Sequence, residues 1–164
     1  MSMIGNFAEI TPAQLEGLLA DPASVSGFIY AEDGNRPLAH LDLDKAWHGI
    51  HFLLTGEVWG GEGPRAMAVL GGAAIGDDVG YGPARYLTVE EVRSVAAALR
   101  ETTKDILHER YIPGDLEQAE VYPSGIWEEE GEEAFEWLVP WYVQLVAFYE
   151  RIAKNGNAAL LYIN

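Results

Sequence analysis

The chain has 164 residues, with 26 acids against 10 bases and a formal charge of −16, a balance that repels a phosphate backbone and disfavours nucleic-acid binding. No cysteine occurs, which removes disulfides, zinc–thiolate centres and thiol chemistry and suits a cytoplasmic setting. No apolar run reaches membrane-spanning length and no signal peptide is visible, so one globular core with no membrane role is expected.

Met3 to Ile10 reads as a first strand, anchored by Ile4, Phe7 and Ile10. Thr11-Pro12-Ala13-Gln14 is a helix start with a capping box and a proline at the first helical position. Leu15, Leu18 and Leu19 form its buried stripe, and Asp21-Pro22 stops it. Residues 23–40 read as a turn-rich connection, with Asp33-Gly34-Asn35 as its sharpest turn. Leu41 to Leu54 reads as a helix, because Leu43, Ala46, Trp47, Ile50, Leu53 and Leu54 recur on one face. Asp42 or Asp44 suits its first turn and Gly56 its end. Thr55 to Gly63 is a glycine-rich loop carrying Trp59, and Gly71 to Pro83 reads as a second, long loop. Arg65 to Leu70 is too short to assign.

Arg85-Tyr86-Leu87 is a strand leading to the capping box Thr88-Val89-Glu90-Glu91 and a helix to about Arg100. A break at Thr102–Asp105 precedes a helical piece ending at Tyr111. Pro113-Gly114 breaks the chain again and Asp115 caps a short turn. Glu132 to Asn155 is the longest helix, with Pro140 expected to kink it near Glu136. Ala158 to Ile163 is a final buried strand. The expectation is one α+β domain over residues 1–164, with several helices packed on a small sheet that includes the N- and C-terminal strands.

Three constellations carry chemistry. Asp44, His48 and His51 are spaced four and three apart and share a helical flank beside Trp47. A carboxylate orienting an imidazole would make His48 or His51 a proton-transfer group. The set lacks a complete metal motif, so no metal and no cofactor are expected. The second constellation is Gly80-Tyr81-Gly82-Pro83-Ala84-Arg85-Tyr86, whose tyrosines offer stacking faces and whose Arg85 can hold an anion. With Trp47, the residues Tyr81, Arg85 and Tyr86 are the candidate ligand contacts. The third is the acidic run Glu128-Glu129-Glu130-Gly131-Glu132-Glu133, either a solvated face or a dock for a basic partner.

Several of these stretches together resemble the bacterial YfbM-like family. They are Ser2-Met3-Ile4-Gly5, Leu43-Asp44-Lys45-Ala46-Trp47-His48 through His51-Phe52-Leu53-Leu54-Thr55-Gly56, Gly80 to Leu87, Tyr122-Pro123 and Phe148-Tyr149 before Gly156. They span nearly the whole chain in one order, and the segment from Lys45 to Gly56 is the specific one. The resemblance implies a compact α+β domain, bacterial and cytoplasmic, of a family whose activity is not established.

The expected function is therefore non-enzymatic: a binding or interaction protein, in one version an immunity- or inhibitor-like partner of a basic protein. The alternative is a small-molecule enzyme or sensor in which Asp44, His48, His51 and Arg85 form one pocket. A third possibility is a homodimer through Trp137, Trp141 and Phe148, the second apolar stripe of the last helix.

Overall fold

The computed structural model describes residues 1–32 and 36–164; the Asp33-Gly34-Asn35 turn signal lies outside the described residues. Strand β1, Gly5–Ile10, runs directly into α1, Pro12–Ala20. The Thr11 hydroxyl accepts the Gln14 amide at 3.0 Å, and the Gln14 side chain accepts the Thr11 amide at 2.9 Å, so the capping box forms as read. Leu15 and Leu18 are buried, whereas Leu19 is exposed. One residue past Leu18 rotates the side chain about 100° away from the contact face.

The connection after α1 is more ordered than its composition indicates. A single 3-10 turn at Pro22–Ser24 leads to α2, Val25–Ile29, which buries Val25, Phe28 and Ile29. Strand β2, Ala39–Asp42, follows. The helix read from Leu41 thus begins later: Leu41 and Asp42 belong to β2, Asp44–Ala46 is a 3-10 turn, and α3 is Trp47–Thr55. Asp44 enters the turn at φ 48°, so regular helix cannot pass through it. Neither aspartate caps α3; Asp42 Oδ1 instead accepts the Asp44 amide at 2.6 Å. The apolar face from Leu43 to Leu54 is buried nonetheless, since burial selects spacing and tolerates the turn. Gly56 ends α3 in the left-handed region.

Helix α4 is Pro64–Leu70. The glycine-rich stretch after it is a hairpin, not a long loop: β3, Ala73–Asp78, pairs antiparallel with β4, Pro83–Leu87. Helix α5, Val89–Glu101, carries its predicted box, with Glu91 N–H donating to Thr88 Oγ1 at 3.2 Å. Then come α6, Lys104–Arg110, and α7, Pro113–Gln118. Pro113 occupies the first turn of α7, so Asp115 lies inside that helix and does not cap it. Helix α8 is Trp127–Glu130, α9 is Glu132–Asn155 and β5 is Ala158–Ile163. Pro140 lies within α9, and the helix runs on through it to Asn155.

The sheet order is β2-β1-β5-β4-β3, with every adjacent pair antiparallel, and the two terminal strands lie side by side. Alternation along the strands gives two cores. Phe7, Leu87 and Leu161 face the larger one, built with α3, α5 and α9. Ala8, Ile10, Leu160 and Tyr162 face the smaller one, closed by α1 and α2. The expected α+β class and the paired terminal strands are both present. Among the described residues no helix is long and apolar enough to cross a membrane.

The second stripe of α9 divides. Phe148 is buried in the larger core beneath the Arg151 guanidinium, 5.4 Å from its ring centroid. Trp137 and Trp141 are half-buried and pack against the same core. Phe148 therefore offers no face to a second copy.

Candidate functional site

Helix α3 presents His48 and His51 inward, and the two rings differ completely in their bonding. His48 is 2 % exposed. Its Nδ1 accepts the backbone N–H of Tyr122 at 3.0 Å, and its Nε2 lies 2.9 Å from the Val58 carbonyl. An amide can only donate and a carbonyl can only accept, so the ring is the neutral tautomer with its proton on Nε2. Burial pulls its pKa below the ordinary value, and the bond to Val58 opposes this. Both nitrogens are committed to backbone, so the predicted proton-transfer role for His48 has no free atom to act through.

His51 is 0 % exposed, and among the described residues neither ring nitrogen makes a well-formed hydrogen bond, although the Gly60 carbonyl lies close to the ring. Its pKa is lowered to about 4, first by burial, next by His48, with Arg85 adding to the fall and the nearby Gly60 carbonyl opposing it. Asp44 sits in the turn before α3 and bonds to neither ring. The expected carboxylate–imidazole pair therefore does not form. The sequence spacing of four assumed an unbroken helix through Asp44, and the φ of 48° there breaks it.

Trp47 is also core rather than ligand surface. It is 0 % exposed, its Nε1 donates to the Met3 carbonyl at 3.0 Å, and its ring stacks on His48 at 4.7 Å with 8° between planes. Trp59 packs against both rings, tilted by 37° on His48 at 4.7 Å and 6.1 Å from Trp47, and its outer surface is open to solvent at 61 %. Trp59 was legible only as an exposed-looking residue in a glycine-rich loop. Gly60, next to it, adopts φ 73°, a conformation that glycine holds without strain.

Trp59 forms one wall of a cavity of about 280 Å³. Tyr81 of the β3–β4 turn and Arg85 of β4 supply other walls, with Gly60, Leu70 and Ile163. Two of the candidate ligand contacts thus come together. Tyr86 does not join them. It follows Arg85 on a strand, so it points to the opposite sheet face, where it packs against the smaller core. Arg85 Nη1 donates to the carbonyls of Val69 and Gly71 at 3.3 and 3.0 Å, closing the end of α4.

A second surface lies between α6 and α9. Asp105, Glu132 and Glu136 surround a floor of Phe135, Val139 and Pro140 in a cavity of about 340 Å³. Lys104 and His108 line it too, with His108 paired to Glu132. Pro140 lacks an amide proton, so the Glu136 carbonyl beside this groove loses its helical donor. The neighbouring Tyr111 phenol is pushed up to about 12, by burial first and then by the charges of Glu132 and Glu130. That shift is a second sign of a negative field at this end of the molecule.

With this geometry in hand, the comparisons identify relatives and no activity. A family model described as "Domain of unknown function (DUF1877)" matches residues 1–162. The chain is 29 % identical over 167 residues to Protein YfbM of Escherichia coli (strain K12), covering 99 % of each. The crystal structure of YfbM from Escherichia coli, a protein of unknown function, superposes with a TM-score of 0.77 at 27 % identity, covering 98 % of this chain and 99 % of that one. The resemblance read from the sequence is the relationship these matches show.

Proposed function

We propose that this chain, which belongs to the DUF1877 family, is an interaction domain that docks a basic segment of a protein partner in the groove between α6 and α9. One observation carries the reading. Three carboxylates, Asp105, Glu132 and Glu136, ring an apolar floor in a chain of charge −16. An arginine or lysine has the complementary shape: an apolar stem for Phe135 and Val139, and a cationic head for the rim. The Glu136 carbonyl, which Pro140 denies its ordinary helical donor, offers an acceptor beside the groove. Long-range attraction to so acidic a surface would speed the encounter. The acidic run after Trp127 ends at this groove and would extend the contact. A chain without disulfide-forming residues suits the bacterial cytoplasm in which we place it. Catalysis is the weaker reading, because His48 is fully bonded and Asp44 orients neither ring.

The test uses an oligo-arginine peptide titrated calorimetrically at low and at physiological salt. Binding is expected to weaken with salt. An E132Q/E136Q double variant is expected to bind several-fold less tightly, whereas the charge-matched E16Q/E62Q variant keeps wild-type affinity. Equal losses in both variants would reduce the groove to a general charge effect and end the proposal. Sedimentation of the chain alone separates this reading from a homodimer through Trp137 and Trp141; a monomer is expected, since two copies of charge −16 repel each other.

A further inference from the structure

The cavity under Trp59 differs in sign from the rest of the molecule. The chain carries 26 acids, yet no Asp or Glu lines this cavity. Its one charged lining residue is Arg85. Among the described residues no carboxylate lies within ion-pair distance of that guanidinium; its recorded bonds go to two backbone carbonyls, both through Nη1. One hairpin acid, Asp78, is occupied by the turn, where Oδ1 accepts the Gly80 amide at 2.7 Å and Oδ2 the Gly82 amide at 3.3 Å. A half-buried arginine without a counter-ion is unusual where acids outnumber bases so heavily.

A second, independent feature lies just behind the wall. His51 is 0 % exposed, and among the described residues its ring makes no well-formed hydrogen bond, the Gly60 carbonyl alone approaching it closely enough to act on it. Buried polar atoms find partners in the large majority of cases, so an orphan ring calls for an explanation. The groups that act on this ring include Gly60 and Arg85, and both line the cavity. The rim is aromatic, with Trp59 61 % and Tyr81 45 % exposed. The cavity volume, about 280 Å³, is at the small end for ligand pockets.

We infer that this cavity is a binding site for a small organic anion with a flat apolar body. The anionic group meets the free guanidinium edge of Arg85, the body lies between the Trp59 and Tyr81 rings, and the buried His51 ring stands behind the wall that Gly60 and Arg85 form. Guanidinium binds carboxylate and phosphate through the same forked geometry, so the anionic group can be either. Stacking on Trp and Tyr supplies the selectivity for a planar body.

Benzoate and phenyl phosphate serve as probes, with benzyl alcohol and inorganic phosphate as the controls lacking charge and ring respectively. Titration is followed by NMR at the Trp59 indole and the His51 imidazole. At least one aromatic anion is expected to shift both signals saturably at millimolar concentration, and whichever binds more tightly identifies the anionic group. Arg85→Gln is expected to weaken that binding about tenfold or more. Because Arg85 also closes α4, the exposed-side variants Trp59→Ala and Tyr81→Ala provide the test that folding cannot confound, and each is expected to weaken binding several-fold. Saturation by benzyl alcohol or by inorganic phosphate as tight as by the aromatic anions would overturn the inference. So would the absence of any shift at His51, or unchanged affinity in the Trp59 and Tyr81 variants.

Discussion

Replacing Trp47 with alanine is expected to cost about 3–5 kcal/mol of folding stability, the range for truncating a buried tryptophan. The position joins four parts of the chain. The indole is 0 % exposed and its Nε1 holds the Met3 carbonyl ahead of β1 at 3.0 Å. One face stacks on His48, and the Tyr122 and Trp59 rings stand 6.1 Å away. Gly5 of β1 is fitted to it: a Cβ there would lie 2.6 Å from the Trp47 Cβ. Alanine at 47 leaves a cavity, orphans the Met3 carbonyl and removes the support beneath His48. Against a total stability of roughly 5–15 kcal/mol this is a large share. The melting temperature is expected to fall by about 10 °C or more. Denaturant titration should show a lower midpoint with an unchanged slope. Trp59→Ala is the contrast, because that ring is 61 % exposed and its loss is expected to cost less than about 1 kcal/mol. Equal losses at the two positions would show that the stack, and not burial, holds this region.

The contrast between these tryptophans bears on what the sequence could reveal. Features written in local chemistry were readable. Thr11 with Gln14 and Thr88 with Glu91 build their caps within four residues, so their helices begin where the residues say. The bounds of α9 follow from its long periodicity and from Gly156 at φ 69°. Features created by tertiary pairing were not readable. Strand β3 buries only Ile75 and carries a glycine and two aspartates, so nothing in its composition announces a strand; its pairing with β4 makes it one. The same limit explains Asp44, whose φ of 48° interrupts a spacing that assumed continuous helix.

The candidate site was half visible for related reasons. Tyr81 and Arg85 were found because turn glycines and a lone arginine stand out in an acidic chain. Tyr86 belongs to a different face, because Arg85-Tyr86-Leu87 is a strand and its period of two sends neighbours to opposite sides of the sheet. Nothing in the sequence distinguishes His48 from His51. Their roles are set by the Tyr122 amide, 74 residues away, which reaches one ring and not the other. A local rule places both histidines on one helix, and only the packing of a distant turn decides which of them keeps free nitrogens.

Those free nitrogens lead to a second large effect, in acid. The unfolded His51 imidazole takes up a proton as the pH falls through its ordinary 6.5, whereas the folded ring resists until about 4. The unfolded state thus binds more protons in that interval, and stability declines as the pH is lowered. The contribution is fully present above pH 6.5, is lost progressively between 6.5 and about 4, and falls no further below that. A shift of this size corresponds to on the order of 3 kcal/mol. His48 and His40 are also lowered, chiefly by burial, and contribute in the same direction. For His48 the bond from Tyr122 acts in the same direction as burial, since a proton on Nδ1 would face the Tyr122 N–H. The chain also carries 26 acids, and the ordinary range of a carboxyl group overlaps this interval, so the measurement must be differential. His51→Leu has a similar volume and no titrating group. Urea titrations from pH 7 to pH 4 are expected to show a smaller acid loss in this variant, by on the order of 3 kcal/mol. At pH 7 the leucine variant is expected to match or exceed wild-type stability, because it removes two buried nitrogens that make no hydrogen bond. An unchanged acid loss would show that His51 is protonated in the folded protein. A marked loss of stability at pH 7 would show instead that the ring has partners. A gain at pH 7 has a further meaning: a residue that costs stability where leucine would fit is the kind of position that binding retains. The same variant would then fold better and bind the aromatic anion less well, which ties the orphaned ring to the cavity beside it.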